Sequence, residues 1–182
     1  MAHWRETLDQ MVLERRSALI GYACLFVVDR RDAEDLVHEA LVRTFARPRV
    51  VTDVHAAEGY VRQAVRTVYL DQARRRRAWR ARVHLFAAEA PARPAEEAAT
   101  TATDVGAALV LLSPRERVCV VLRYFDDLPV SEVAAALQIS EGAVKRYLAD
   151  GTRKLRSALR VDTTEGGGGE TVHVVDIGRS GS

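Results

Sequence analysis

The sequence predicts an all-α protein made of two small helical domains joined by a flexible linker. Apolar residues recur at helical spacing along most of the chain, and strand-like alternation is rare. Proline and glycine are sparse outside the predicted linkers. The chain has 182 residues, of which 48% are hydrophobic and 29% charged, so the composition is that of a globular protein.

The predicted N-terminal domain spans residues 1–86 and contains three helices. The first covers residues 8–28, and the second covers residues 32–47. Asp29 or Asp32 can cap the start of the second helix. Its apolar face is formed by Leu36, Val37, Ala40, Leu41 and Phe45.

The third helix of this domain starts at Thr52 or Asp53 and runs to about residue 82. Its predicted buried stripe consists of Tyr60, Val61, Ala64, Val65, Val68 and Tyr69. An acidic stretch with two prolines, residues 87–105, follows as a predicted flexible linker.

The predicted C-terminal domain spans residues 106–161. Ser113, Pro114 and Glu116 form a capping-box signature that starts a helix over 114–125. Ser131 is predicted to cap a short helix to residue 137. After a three-residue turn, Ser140 is predicted to cap a last helix to about residue 160. This order is the helix-turn-helix pattern. Residues 162–182 form a predicted flexible tail with four consecutive glycines.

The charge is segregated along the chain, although the net charge is only +2. Residues 62–82 carry eight arginines against one acid, and residues 145–160 carry six basic residues against one acid. Two basic stretches, separated and followed by acidic ones, predict two contact points on a polyanion.

The last helix has the arrangement that a DNA recognition helix needs. Val144, Leu148, Leu155 and Leu159 are predicted to face inward. The predicted outward side chains, available to base edges and phosphates, are Glu141, Gly142, Lys145, Arg146, Ala149 and Arg153. Ser140 can also offer its hydroxyl to a phosphate. A solvated basic helix face is the alternative, and the preceding helix and turn favour DNA binding.

A dense arginine block, residues 74–77 with Arg80 and Arg82, is interleaved with Trp79. Arginine contacts to phosphates are the main sequence-independent contribution to nucleic-acid affinity, and aromatic rings can stack on unpaired bases. Tyr60 and Tyr69 fit either such stacking or the apolar core, and the sequence leaves both possibilities open.

Several kinds of chemistry have no sequence signal. The five histidines are scattered, the cysteines Cys24 and Cys119 lie far apart, and no phosphate-binding glycine loop occurs. We therefore expect no metal, no cofactor and no catalytic residues, and two buried free thiols in the reducing cytoplasm. No apolar run is long enough to predict a membrane span.

Three stretches of the chain, in order, resemble the extracytoplasmic-function group of bacterial sigma factors, in the sigma-70 family. They are DAEDLVHEALVRTFAR (32–47), GYVRQAVRTVYLDQARRRR (59–77) and LSPRERVCVVLRYFDDLPVSEVAAALQISEGAVKRYLADGTRKLR (112–156). The resemblance implies sigma region 2 in residues 1–86 and sigma region 4 in residues 106–161. It also implies core RNA polymerase, through its beta-prime and beta subunits, and promoter DNA as partners.

The resemblance also implies roles for individual residues. The residues expected to dock on core polymerase are Asp35, Leu36, His38, Glu39 and Arg43. The residues expected to bind the minus-ten element are Tyr60, Arg62, Arg66, Thr67, Arg74, Arg75, Arg76, Arg77 and Trp79. The residues expected to bind the minus-thirty-five element are Ser140, Glu141, Gly142, Lys145, Arg146 and Arg153.

This sequence departs from the family pattern at four single positions and in the stretch after Arg146, residues 147–152. His38 stands for a glutamine, Tyr60 for a tryptophan, Thr67 for an asparagine tied to a flipped-out base, and Gln138 for the turn glycine. Two other functions stay open at this stage: a stand-alone helix-turn-helix regulator, and an adaptor on polymerase without promoter specificity. An anti-sigma factor is a further expected partner, clamping the apolar faces of residues 32–47 and 114–160.

Overall fold

The structure is a computed structural model that describes residues 3–46, 53–83 and 104–165, with side chains for 6–46, 53–82 and 105–159. Every regular element in these ranges is helical, which confirms the all-α prediction. The helices are α1 (His3–Ala23), α2 (Arg30–Phe45), α3 (Val54–Val83), α4 (Asp104–Val110), α5 (Pro114–Val120), α6 (Val130–Leu137) and α7 (Glu141–Glu165). A π-helical segment, Val121–Phe125, continues α5 and is called the π turn below.

Helices α1, α2 and α3 pack together around one apolar core. The side chain of Asp29 caps α2, since its Oδ1 accepts the Arg31 N–H at 2.7 Å. Asp53 does the same for α3, accepting the Ala56 N–H at 2.9 Å. The largest fully buried side chains of this unit are Leu8, Met11, Leu19, Tyr22, Phe26, Leu36, Val61, Val65 and Val68.

The second unit is built on α5 and α7, which pack closely over Gly151. A Cβ placed on Gly151 would lie 3.0 Å from Cγ2 of Val120 and 3.6 Å from Cβ of Glu116. A glycine in a helix interior destabilises it by roughly 1 kcal/mol relative to alanine. Here the missing side chain is what lets α7 approach α5 closely at this position.

The capping box at the start of α5 also ties α5 to α7. The Glu116 N–H donates to Ser113 Oγ at 3.4 Å, and Glu116 Oε2 accepts the Ser113 N–H at 2.8 Å. Lys154 Nζ lies 2.7 Å from the same carboxylate. Burial raises the pKa of Glu116, but the hydrogen bonds from Lys154 and Ser113 outweigh it and lower the pKa overall.

Several predicted helix ends differ from the observed ones. Helix α1 ends at Ala23 rather than near residue 28, and the predicted helix 114–125 changes to π geometry at Val121. The expectation that Ser131 caps α6 is wrong, because Pro129 is its N-cap and Ser131 lies in its first turn. The fixed φ of proline, −64° here, holds Pro129 extended so that its carbonyl accepts the Val133 N–H at 3.0 Å.

The boundaries of the predicted linker and tail also shift. Helix α4 begins at Asp104, within the predicted linker, and α7 continues to Glu165, within the predicted tail. The rest of the linker and the glycine-rich tail lie outside the described residues. Leu159, predicted to face inward, is 42% exposed because it lies beyond the stretch of α7 that α5 covers.

The two helical units contact each other through α1 and α3 on one side and α5 with the π turn on the other. Asp126, which follows the π turn, contacts Tyr22 and Arg66. Arg117 of α5 donates to the carbonyl of Phe26. None of the described helices combines the length and the apolar character needed to cross a membrane.

Candidate nucleic-acid interface

Helices α6 and α7 form a helix-turn-helix in which Gln138 makes the turn. Gln138 has φ 53° and ψ 47°, the left-handed conformation, and Ile139 then donates its N–H to the carbonyl of Ala134 at 3.1 Å. Ser140 Oγ accepts the Ala143 N–H at 3.2 Å at the start of α7. The short turn therefore fixes the direction in which α7 leaves α6.

Replacing Gln138 by glycine is expected to stabilise the protein. A non-glycine residue in the left-handed region costs about 1–2 kcal/mol, and the greater freedom of glycine in the unfolded chain offsets part of that gain. We expect Gln138→Gly to raise the free energy of unfolding by about 0.5–1 kcal/mol in urea titrations followed by circular dichroism. Gln138→Ala keeps the Cβ and should not raise the free energy of unfolding. Equal stabilisation by both variants would contradict the argument.

The predicted outward residues of α7 are all exposed. They are Glu141, Gly142, Lys145, Arg146, Ala149 and Arg153. Arg153 pairs with Asp150 at 2.5 Å, and Lys145 lies 3.9 Å from Glu141. Arg146 lies over the ring of Tyr147, 5.5 Å from its centroid, and has no carboxylate partner among the described residues. Its guanidinium is therefore the one most available to an external anion on this face.

The arginine block occupies the exposed C-terminal half of α3. Arg74, Arg75, Arg76, Arg77, Arg80 and Arg82 are exposed, and Trp79 is 67% exposed. A cleft of about 580 Å³ opens between this block and the start of α5, and it is lined by Arg74, Arg76, Arg77, Arg80, Arg115 and Tyr147, among others. None of the described residues that line it carries a carboxylate. Such a cleft attracts polyanions.

Tyr60 and Tyr69 have different surroundings. Tyr69 is buried and packs on Phe26, with ring centroids 5.3 Å apart, so it belongs to the core. Tyr60 is half-buried and lines a cleft of about 590 Å³ together with Arg43 and Thr67. Thr67 is exposed and donates its hydroxyl to the carbonyl of Gln63 at 3.0 Å.

Arg62 and Arg66, predicted to bind the minus-ten element, lie at the contact between the two units. Arg62 pairs with Glu58 at 2.7 Å and approaches Asp126 at 3.5 Å. Arg66 pairs with Asp126 at 3.2 Å and donates to the hydroxyl of Tyr22 at 2.8 Å. Both arginines, which are predicted to contact DNA, therefore already contact the Asp126 carboxylate.

The predicted docking residues lie on α2, where Asp35 and His38 are exposed. Glu39 accepts hydrogen bonds from Arg43 at 2.7 Å and from Gln72 at 2.9 Å. Arg43 also contacts Asp71 at 3.0 Å, so α2 and α3 are cross-linked at this face. Leu36 is only 1% exposed, because it faces the core, and the prediction that it contacts polymerase is not compatible with this burial.

The described residues provide neither a metal-binding cluster nor a disulfide. They contain no group of three histidine, cysteine, aspartate or glutamate side chains that could hold a metal ion. Cys119 is buried and Cys24 is half-buried, and both are free thiols. Burial raises the pKa of the Cys119 thiol to about 11, which keeps it protonated and unreactive at neutral pH.

Sequence reasoning missed the residues that join the two units, namely Tyr22, Arg117 and Asp126. Tyr22 has helical core spacing, and Asp126 stands in a stretch that is typical of a turn. The one available signal is the position of Arg117 directly before the apolar run of residues 118–122. The structure buries Arg117 together with Glu116 and Val118.

The comparisons with known proteins agree with this architecture. Residues 108–157 match the family model for sigma-70, region 4. The RNA polymerase sigma-E factor of Streptomyces coelicolor is 32% identical over 156 residues, covering 83% of this chain and 85% of that protein. The sigma-E factor of Streptomyces avermitilis is 33% identical over 159 residues, covering 83% and 84%.

A solved structure of the sigma factor RpoE from Bartonella quintana, in complex with the anti-sigma factor NepR, superposes with a TM-score of 0.58 at 22% identity. It covers 85% of this chain and 97% of RpoE, and it supports the fold alone. The sequence relatives, the helix-turn-helix and the exposed basic faces agree on one assignment. The chain belongs to the extracytoplasmic-function group of the sigma-70 family, and it is a sigma factor that directs promoter-specific transcription initiation by RNA polymerase.

Proposed function

We propose that this sigma factor contacts its partners through three separate surfaces. Helix α2 docks on core polymerase, α3 binds the minus-ten element, and α7 reads the minus-thirty-five element. The observation that carries the proposal is the exposed, basic outward face of α7 behind a short turn from α6. We further propose that the protein acts in the cytoplasm, where polymerase and chromosome are, and has no catalytic activity of its own.

The minus-thirty-five surface is the N-terminal half of α7. Side chains near the start of a recognition helix reach base edges, whereas flanking basic groups contact phosphates. Arg146 is exposed and lacks an acidic partner in the described part of the chain, so it is available for bidentate recognition of a guanine. Ser140, Lys145 and Arg153 lie beside it for phosphate contacts.

The minus-ten surface combines the arginine block of α3 with the cleft at Tyr60 and Thr67. Exposed arginines and Trp79 provide phosphate contact and stacking on unpaired bases. The cleft of about 590 Å³ beside Thr67 has the size of a pocket for a small ligand or an unstacked base. Since Thr67 is shorter than the family's asparagine, we expect a base preference that differs from the common one.

The docking surface is the solvent side of α2, with Asp35, His38 and Glu39. Its carboxylates suit a basic polymerase surface. An anti-sigma factor, in contrast, would find little on the apolar side of α2, which is buried. The exposed apolar groove of about 450 Å³ that includes Leu25, Tyr124, Phe125, Leu155 and Leu159 is the better candidate for such a partner.

Run-off transcription with purified core polymerase tests the proposal at Arg146. We expect Arg146→Ala to lower transcription about 10–100-fold, equivalent to about 1–3 kcal/mol, and to weaken discrimination among minus-thirty-five variants. Arg16→Ala removes an exposed arginine of α1, outside the three proposed surfaces, and should leave transcription within about twofold. Equal transcripts from both variants would contradict the assignment. DNA binding without any effect on polymerase would instead favour a stand-alone regulator.

A further inference from the structure

Asp126 occupies an unusual position for a residue in a connecting segment. It follows the π turn of the second unit, yet its side chain is only 10% exposed because it packs against Tyr22 and Arg66 of the first unit. Its Oδ2 accepts the Tyr22 hydroxyl at 3.0 Å and lies 3.2 Å from Arg66 Nη1, and its Oδ1 lies 3.5 Å from Arg62 Nη1. These four residues, Asp126, Arg62, Arg66 and Tyr22, are called the ionic latch below.

The latch is a largely buried ion cluster, in which Arg62 is the most exposed member at 29%. Arg66 is 14% exposed and also donates to the Tyr22 hydroxyl at 2.8 Å. Burial raises the pKa of Tyr22, so its hydroxyl keeps its proton and donates to Asp126. Charge-assisted hydrogen bonds in such surroundings are stronger than those between exposed groups, and solvent ions screen them less. Removing the Asp126 charge would leave Arg66 without a carboxylate in the cluster.

A second contact between the units carries a desolvation cost. Arg117 is 6% exposed and donates to the carbonyl of Phe26, and its Nε has no hydrogen-bond partner among the described residues. Its guanidinium carbon also lies 5.7 Å from the ring centroid of Tyr69. Burial lowers the pKa of Arg117, because a buried cation without a carboxylate is costly. Arg117 therefore adds a contact between the units, and the latch supplies the paired charges.

We propose that Asp126 acts as an internal substitute for a DNA phosphate and holds the two DNA-binding units closed on each other. While the latch is closed, Arg62 and Arg66 are withheld from the minus-ten strand. Contacts of both units with polymerase separate them and free the two arginines. The proposal rests on the minus-ten role given to Arg62 and Arg66 under the proposed function.

The full-length protein and a matched pair of variants test the latch. Asp126→Asn removes the charge at nearly unchanged size. Asp127→Asn changes a neighbouring side chain that is 95% exposed and that pairs with Arg123 in the described part of the chain. Small-angle scattering should show a larger radius of gyration for Asp126→Asn and no change for Asp127→Asn. Circular dichroism should show both variants folded.

Binding of a fluorescent single-stranded minus-ten oligonucleotide to the free proteins gives the second readout. Since apparent affinity scales with the competent fraction, a wild-type open fraction of about one in ten predicts about tenfold tighter binding by Asp126→Asn. An unchanged radius of gyration for Asp126→Asn would overturn the latch.

The same variants separate failure of the latch from failure of the minus-ten assignment. If the radius of gyration of Asp126→Asn increases but the variant binds the oligonucleotide no more tightly, the latch does not withhold Arg62 and Arg66 from DNA. Transcription by polymerase carrying the Arg62→Ala, Arg66→Ala double variant then decides the remaining point. A loss of transcripts supports the minus-ten role even if the latch fails, and unchanged transcripts refute that role whatever the scattering shows.

Discussion

Asp35→Arg is expected to reduce run-off transcription at least tenfold and to abolish co-elution with core polymerase. Asp35 is exposed on the solvent side of α2, and none of the contacts found in the structure depends on it. Charge reversal there turns attraction to a basic partner surface into repulsion, which across an interface costs several kcal/mol. Because α2 is held through its buried face and its Asp29 cap, the fold should be retained.

The control for this prediction is the same substitution at another exposed aspartate of the first unit. Asp9→Arg alters α1 at a solvent-exposed position outside the proposed docking surface. It should leave both transcription and co-elution within about twofold of wild type. If Asp35→Arg co-elutes with polymerase as well as Asp9→Arg does, the docking role of α2 is wrong.

Gly151→Leu is expected to destabilise the second unit by about 2 kcal/mol. Even a Cβ at this position would lie 3.0 Å from Val120, so a leucine must push α7 away from α5. Overpacking of this kind costs about 3 kcal/mol, of which the better helix propensity of leucine returns about 1 kcal/mol. The displaced α7 would also weaken the Lys154–Glu116 contact. Urea titration measures the loss.

Two comparisons isolate the close approach of α5 and α7. Ala149→Leu introduces the same side chain on the exposed side of the same helix. It should change the free energy of unfolding by less than about 0.5 kcal/mol. Gly151→Ala combined with Val120→Ala should be more stable than the sum of the single effects, because the second change makes room for the first. Equal destabilisation by Gly151→Leu and Ala149→Leu would show that the contact is unimportant.

Local signals in the sequence predicted much of the fold. The capping box at Ser113 is observed, and the structure selects Asp29 and Asp53 from the two cap candidates that the sequence leaves open for each helix. The predicted stripe of α3 is buried at Val61, Val65, Val68 and Tyr69 and half-buried at Tyr60 and Ala64. All these features depend on neighbouring residues. The outward face of α7 follows from its periodicity in the same way.

What the sequence could not predict depends on distant residues. Tyr22 and Asp126 are 104 positions apart, and nothing near either of them indicates the other. Periodicity placed Leu36 on the apolar face of its helix, whereas the family resemblance placed it on the docking surface. The structure agrees with the periodicity, because Leu36 lies in the core. The reason for a glycine at position 151 in mid-helix lies in α5, whose Val120 leaves no room for a side chain there.

The π turn has a consequence for the comparison of related chains. Asp126 donates its N–H to the carbonyl of Val121 at 3.0 Å, five residues back, so the segment holds one residue more than an α-helical turn. One extra residue rotates everything after it by about 100° relative to an uninterrupted α-helix. In a relative that lacks this inserted residue, a gap-free alignment would pair Asp126 with a side chain that points in another direction. The carboxylate facing Tyr22 must therefore be sought by its spatial position rather than by its alignment column.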